Sequence, residues 1–360
     1  VTGPRLRDDL GDLEGYHSPQ VDVAVRLNTN ESPYPPPPGF FEAWTGEVGS
    51  AAAHRYPDRA ARALRSALGD FLGQPAERVF CANGSNEVLQ TLLLGYGGPG
   101  RRALVFEPSY VLHAHIARIT GTGVVTGERR SDFTLDPAGA VRLVDEHEPD
   151  VVFLTTPNNP TGMVEPQATV EALVDRIAGR SKPGLLIVDE AYAEFSPWTA
   201  LDLVADGTPL VVARTYSKVW SMAAFRLGFC VAPPAVVEDL EKVVLPYHLS
   251  VPTQVAGRVA LRFTGEMDAR VAAIKTERER VAAALSALDG VEAFPSGANF
   301  ILFRPTVADG VATWDGLLRA GVLVRNFARW PRLDNCLRVT IGLPEENDAF
   351  LAALKEVLAQ

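Results

Sequence analysis

Lysine is scarce in this chain. Only five of its 34 basic residues are lysines, namely Lys182, Lys218, Lys242, Lys275 and Lys355, so chemistry that requires a primary amine has few candidates among 360 residues. Cysteine is scarcer still: Cys81, Cys230 and Cys336 are too few and too scattered for a disulfide framework or a paired-cysteine metal clamp, which suits a reducing compartment. Basic charge is in deficit as well. Against 44 Asp and Glu the 34 Lys and Arg leave a net charge of −10, which argues against nucleic acid or an anionic membrane as the main partner. No apolar run approaches the roughly 18 residues of a membrane span, and the opening VTGPRLRDDLGDLEGYH lacks the apolar stretch of a secretory signal. The expectation is a cytoplasmic protein with no membrane partner.

What is present is ordinary globular composition, 47% hydrophobic and 22% charged, in a chain long enough for two domains with a ligand between them. Residues 1–40 read as an irregular N-terminal arm, because Pro33 and the run Pro35 to Pro38 oppose both helix and interior strand. Beyond the arm, short apolar runs alternate with helical patterns. ALVF (103–106), VVFL (151–154), LLIV (185–188), LVVA (210–213) and LGFCVA (227–232) have the continuous hydrophobicity of strands buried on both faces. NEVLQTLLLGY (86–96) and PQATVEALVDRIAG (166–179) lie between them as helices, so residues 41–245 form an α/β domain around a mainly parallel sheet. The last third changes character: a long amphipathic helix over 268–288, strands in ANFILFR and LRVTIG, and a closing helix from about Glu345 predict a smaller α+β domain over 246–360.

In open parallel sheets ligands bind beyond the carboxyl ends of the strands. The loops there are strongly polar. VVFL leads into Thr155-Thr156-Pro157-Asn158-Asn159-Pro160-Thr161-Gly162, LLIV into Asp189-Glu190-Ala191-Tyr192, and LVVA into Arg214-Thr215-Tyr216-Ser217-Lys218, with Arg226 eight residues further on. A pyridine cofactor carrying an aldehyde and a phosphate uses such a set in full: an amine forms a Schiff base, a carboxylate pairs with the ring nitrogen, and hydroxyls with a guanidinium hold the phosphate. Asp189 is informative because a carboxylate ending an apolar strand is costly to bury without a cation. Its plainer reading is a helix N-cap or surface turn, and that of Lys218 is a solvated side chain. The other four lysines fit the solvated reading better, since Lys182 sits in the turn Ser-Lys-Pro-Gly and the rest in charged helical patterns.

The set Asn159-Pro160-Thr161-Gly162, Asp189 with Tyr192, and Ser217-Lys218 with Arg226 resembles the fold type I pyridoxal-phosphate aminotransferases of classes I and II. The chain is most similar to the histidinol-phosphate aminotransferases, through LNTNESPYPPP (27–37), HRYPD (54–58), NGSNEVLQ (83–90), EPSY (107–110), DEAYAEF (189–195), LPYHLS (245–250), ANFILF (298–303), LVRN (323–326) and CLRVTIG (336–342). The resemblance implies a seven-stranded, mainly parallel sheet between helices, with the smaller domain and the arm completing the fold type I architecture.

It also implies roles. Lys218 is the Schiff-base amine and the base that moves the substrate proton, Asp189 keeps the ring nitrogen protonated, and Asn159 and Tyr192 bond the ring oxygen, with Tyr110 against the ring face. Gly84, Ser85 and Asn86 open a helix whose N-terminus takes the phosphate of pyridoxal 5′-phosphate, joined by Thr215, Ser217 and Arg226. Tyr56 would reach the neighbouring subunit's phosphate, making the active unit a homodimer; otherwise it is an ordinary buried Tyr before Pro. Arg338 would take the substrate carboxylate, its planar guanidinium fork suiting a bidentate anion, and Arg325 and Tyr16 would help bind the substrate phosphate. For either arginine alone the plainer reading is a surface salt bridge.

Two motifs are set aside. Gly95-Tyr96-Gly97-Gly98-Pro99-Gly100 fits GxGxxG but precedes a strand instead of following one, which suits a helix stop and turn, and His113 with His115 read as helix surface or core histidines, no metal being expected. The sequence departs from its relatives in the bulk of Trp220 and Phe225 near Lys218 and in Phe327-Ala328-Arg329-Trp330-Pro331-Arg332. The leading expectation is therefore transamination of L-histidinol phosphate, a small-molecule amino donor, with the 2-oxo acid 2-oxoglutarate. The aromatic departures keep open an aromatic or other amino-acid aminotransferase, and related decarboxylation of a phosphorylated amino acid is a further alternative. A cofactor-binding regulator would need a DNA-binding module, for which the residues before the first motif have neither length nor basic helix.

Overall fold

A computed structural model describes residues 3–11, 13–15 and 19–359. After β1 (Val25–Leu27), the chain enters the larger sheet with β2 (Val79–Ala82), β3 (Arg102–Glu107), β4 (Gly123–Glu128), β5 (Val151–Thr155), β6 (Leu185–Asp189), β7 (Leu210–Thr215) and β8 (Gly228–Val231). The smaller sheet takes β9 (Val291–Ala293), β10 (Phe300–Pro305), β11 (Val322–Asn326) and β12 (Leu337–Thr340). The larger sheet has the order β2-β8-β7-β6-β5-β3-β4, and β8 runs against both of its neighbours while the other pairings are parallel. The carboxyl ends of β2, β3, β5, β6 and β7 therefore share one edge.

The alternation of side chains along these strands explains why the apolar runs are continuous. Phe80, Val105, Phe153, Ile187, Val211 and Cys230 enter one core, while Val79, Leu104, Val152, Leu186, Val212 and Phe229 enter the other. Helices cover both faces, so a polar residue inside a run would lose its water on either side. Ser85–Tyr96 and Gln167–Ala178 are helices as the sequence predicts. The Gly95–Gly100 segment is the helix end and the turn into β3.

In the last third, Thr264–Ser286 forms the long helix, burying Met267, Ile274, Val281 and Leu285, and Pro344–Leu358 the closing one. The arm is not irregular throughout. Val25–Leu27 pairs in parallel with β11, Val25 opposite Val322, and makes an edge of the smaller sheet. Those residues lie upstream of the prolines, so the argument against strand does not reach them. Beyond β1 the arm passes between the two sheets, which puts Asn28 to Glu31 beside the loops of the larger one.

Candidate active site

A cavity of about 400 Å³ opens where the carboxyl edge of the larger sheet meets the smaller sheet and the arm. Local geometry at its base follows from the strand ends. Asp189 closes β6 and is 2% exposed. Strand alternation sends the next carboxylate the other way: Glu190 pairs with Arg214 at 2.8 Å and accepts from Ala200 N–H. Only Asp189 of the two lines the cavity, where its Oδ2 lies 2.9 Å from His113 Nε2. His113 is buried, stacked on Phe153 at 4.6 Å and edge-on to Tyr110 at 5.4 Å. It is a core histidine, as one of the sequence readings has it, but it also orients the carboxylate of the site. Sequence reasoning gave it no such role; its position one helical turn beyond Tyr110 is the signal that it faces the same way.

At one end of the cavity lie the turn after β2 and the loop after β7. Gly84, at φ 81°, precedes the helix that begins at Ser85, and a Cβ there would stand 2.5 Å from Arg226 Nη2. Arg226 Nη1 donates to Ser217 Oγ at 3.3 Å, and Thr215 Oγ1 lies 3.0 Å from Ser217 Oγ. A guanidinium, two hydroxyls and a helix N-terminus thus converge at a glycine whose Cβ position the guanidinium takes, which is the chemistry of a phosphate cradle. Tyr110 donates to Asn86 Oδ1 at 3.2 Å beside it.

Lys218 follows that loop into the cavity. Its Nζ donates to the Thr29 carbonyl at 3.1 Å and lies 5.8 Å over the Tyr192 ring. Burial lowers its pKa to about 8, aided by the Arg338 and Arg226 charges and opposed by Glu31 and Asp189. The solvated reading of this lysine does not hold.

Opposite the cradle, the register of the smaller sheet puts Arg325 of β11 directly across from Arg338 of β12. They are 6% and 5% exposed, so neither is a surface salt-bridge residue. Arg338 donates to the Asn28 carbonyl at 2.9 Å and to Asn159 Oδ1, which leaves the Asn159 amide NH₂ free to face a ring substituent. Phe327 lies under both guanidinium groups, 5.7 Å from Arg325 and 5.4 Å from Arg338, and Trp330 packs edge-on against it. Two guanidinium groups on facing strands above one aromatic ring give this wall of the cavity a local positive charge, whose planar forks suit an anion.

Asn159, Tyr192, Tyr110, Ser85, Asn86, Thr215, Ser217, Lys218, Arg226, Arg325 and Arg338 all line the one cavity. Tyr16 lies outside the described residues. Tyr56 is not in the cavity: it is 79% exposed and stacked on Tyr247 at 4.4 Å, which overturns the buried reading. Trp220 and Phe225 also require correction. Trp220 is buried against Tyr216 and Phe71, and Phe225 packs on Phe40 and Trp44, so neither adds bulk to the cavity despite its proximity to Lys218 in sequence. Of the departing aromatics, Phe327 and Trp330 line it, whereas Arg329 pairs with Asp309 and Arg332 with Glu128.

Comparison with known proteins identifies the family. The family model described as aminotransferase class I and II matches residues 23–354. The chain belongs to that family. It is 47% identical over 372 residues to a histidinol-phosphate aminotransferase of Frankia casuarinae, covering 99% of this chain and 91% of that one. A protein of the same name from Thermobifida fusca is 48% identical over 363 residues, 97% of this chain and 94% of its own length. Among solved structures, the histidinol-phosphate aminotransferase of Sinorhizobium meliloti in complex with pyridoxal-5′-phosphate superposes with a TM-score of 0.87 at 24% identity, covering 99% of this chain and 98% of that one. L-threonine-O-3-phosphate decarboxylase of Porphyromonas gingivalis shares the fold too, with a TM-score of 0.80 at 19% identity over 93% of this chain and 100% of that one. The chain is an aminotransferase of fold type I. The donor set fits pyridoxal 5′-phosphate: amine, carboxylate, amide with phenol, and the hydroxyls and guanidinium of a phosphate cradle line one cavity.

Proposed function

We propose that this aminotransferase moves the amino group of L-histidinol phosphate to 2-oxoglutarate, giving imidazole acetol phosphate and L-glutamate for histidine biosynthesis. The observation that carries the substrate assignment is the buried Arg325–Arg338 pair, two cations on one anion subsite. A phosphate dianion and a carboxylate can both use it in turn, as a reaction with one phosphorylated and one dicarboxylic substrate requires. Similarity to proteins of that name over nearly the whole chain supports the same reading.

When bound, pyridoxal 5′-phosphate supplies an aldehyde to take up the amino group and a pyridinium that withdraws electrons from the neighbouring carbon. The residues do the rest. Gly84, Ser85, Thr215, Ser217 and Arg226 would hold its phosphate, Asp189 would hold the proton on the ring nitrogen, and Asn159 with Tyr192 would donate to the ring oxygen. His113 keeps Asp189 in place. Lys218 Nζ, less basic than an ordinary lysine, is the group that takes the proton from the substrate carbon bearing the amine. Arg325 and Arg338 fix the anionic end so that this C–H bond faces Nζ. Phe327 and Trp330 offer apolar surface to a flat substrate ring. The three buried, free cysteines suit a cytoplasmic setting, and no helix among the described residues is long and apolar enough to cross a membrane. A homodimer in which Tyr56 reaches the partner's phosphate belongs to the same proposal.

Mixing the purified protein, loaded with cofactor, with L-histidinol phosphate should convert the absorbance of the aldehyde form to that of the amine form. Absence of conversion by this donor, with rapid conversion by L-phenylalanine, would favour the aromatic reading that Trp330 supports. Release of carbon dioxide from a phosphorylated amino acid without formation of a 2-oxo acid would assign decarboxylation instead.

A further inference from the structure

The arm segment from Asn28 to Glu31 forms one wall of the cavity, and Asn30 is its most constrained residue. It is 1% exposed and adopts a left-handed conformation, φ 57°, which asparagine accepts more readily than most residues. All four of its polar groups are engaged. Its N–H donates to Thr340 Oγ1 at 3.0 Å, its Oδ1 accepts from the Thr340 hydroxyl at 3.0 Å, and its carbonyl accepts from Asn299 Nδ2 at 3.1 Å. Its Nδ2 donates to the Tyr192 phenol oxygen at 2.8 Å. The first three bonds anchor Asn30 to the smaller domain, and the fourth crosses to the larger one.

The Thr340 hydroxyl fixes the sense of the amide. Because Thr340 Oγ1 already receives the backbone N–H, its own proton is available for Oδ1, and that turns the NH₂ group toward Tyr192. The phenol oxygen accepts from Asn30 and so does not spend its own proton there. A phenol that accepts a hydrogen bond is also a stronger donor. The same turn aims the Thr29 carbonyl at Lys218 Nζ and the Asn28 carbonyl at Arg338.

We propose that Asn30 is a positioning residue of the site: by donating to Tyr192 from a mount on the smaller domain, it directs the phenol proton toward the cofactor's ring oxygen and ties cofactor tuning to the substrate arginine. This rests on the cofactor reading above.

The test is a pH titration of the visible absorbance of the cofactor-loaded protein, whose midpoint reports the proton on the nitrogen joining cofactor to Lys218. Donation to the ring oxygen stabilises its negative charge and so loosens that proton. Weaker donation lets the nitrogen hold it to higher pH. Lys218 over the phenol ring, Asp189 on β6, Arg338 on β12, Arg226 and Glu31 also act on this equilibrium and are unchanged in every variant. Asn30→Ala should raise the midpoint by about half a pH unit, the scale of one neutral hydrogen bond acting indirectly. Asn30→Asp, which keeps shape and left-handed tolerance but accepts the phenol proton, should raise it further. Thr340→Val, which removes only the mount, should shift it less and in the same direction. In a Tyr192→Phe background the Asn30→Ala shift should vanish. Midpoints that stay at the wild-type value, or an undiminished Asn30→Ala shift in the Tyr192→Phe background, would overturn the proposal while leaving the cofactor reading standing. A wild-type protein that takes up no pyridoxal 5′-phosphate would overturn both.

Discussion

Burial and the guanidinium of Arg338 bring Lys218 down to about 8, and the consequence is kinetic. At pH 7 about a tenth of such lysines are neutral, against about one in three thousand at the ordinary lysine value, and only the neutral amine attacks an aldehyde. Cofactor uptake by the cofactor-free protein should therefore rise about tenfold per pH unit below pH 8 and level off above it, followed as the growth of visible absorbance after mixing. Arg338→Gln removes the charge that opposes the ammonium, so the levelling should move to higher pH; an unmoved plateau would remove Arg338 as a cause. Stability responds with the same sign. Between about 8 and 10.5 the unfolded chain holds a proton that the folded one has released, so the cofactor-free protein gains stability as pH rises through that window. Lysine scarcity made this residue visible in the sequence. Its pKa depends on Arg338, 120 residues further along the chain, and was not visible there.

At the scale of elements, what the sequence reveals depends on whether local pattern or distant pairing decides the structure. The strands β3 and β5 to β8 are legible because helices bury both of their faces, leaving continuous apolar runs. β1 and β4 are edge strands with mixed polarity and leave no such run, and β1 exists only because β11 lies beside it. The loops at the carboxyl edge are legible for the same reason in reverse, since they are polar where the runs stop. Bonds that cross the chain are not: His113 meets Asp189 over 76 positions and Asn30 meets Tyr192 over 162. Sequence proximity misled at Trp220 and Phe225, because the turn holding Ser221 and Arg226 in left-handed conformations sends their side chains away from Lys218. The turn between β2 and its helix offers a direct test. Gly84→Ala must push aside Arg226 Nη2 and adopt φ 81° with ψ 165°, at a cost of about 1–3 kcal/mol. The displaced group is a flexible guanidinium, so the fold should survive, while affinity for pyridoxal 5′-phosphate should fall about tenfold or more in an absorbance titration. Unchanged affinity would mean that Arg226 does not hold the phosphate.

For the whole molecule, the proposed dimer accounts for features that a single chain leaves without a purpose. Tyr56 and Tyr247 stack on each other in the open, 79% and 43% exposed, and Leu245 nearby is 76% exposed. Tyr247 sits at φ 61°, a strained backbone for a bulky residue, in the segment that leaves the larger domain. Exposed aromatic surface held in a strained turn fits an interface better than it fits water. Solution mass should be about twice 38.8 kDa. A mass measurement would not show that the sites are shared, but combining two variants impaired in different parts of the site would. Lys218→Ala abolishes proton transfer in its own chain while leaving Tyr56 intact, and Tyr56→Ala impairs the phosphate cradle it reaches. If Tyr56 acts in the chain that carries it, co-expressed variants give no more activity than the sum of the separate ones. If it acts across the interface, each mixed dimer contains one site with Lys218 from one chain and Tyr56 from the other. Half of randomly paired dimers are mixed and each has one intact site of two, so about a quarter of the wild-type rate per chain should return. Recovery to that level would require the partner to complete the site, and none would return Tyr56 to a role on the surface of its own chain.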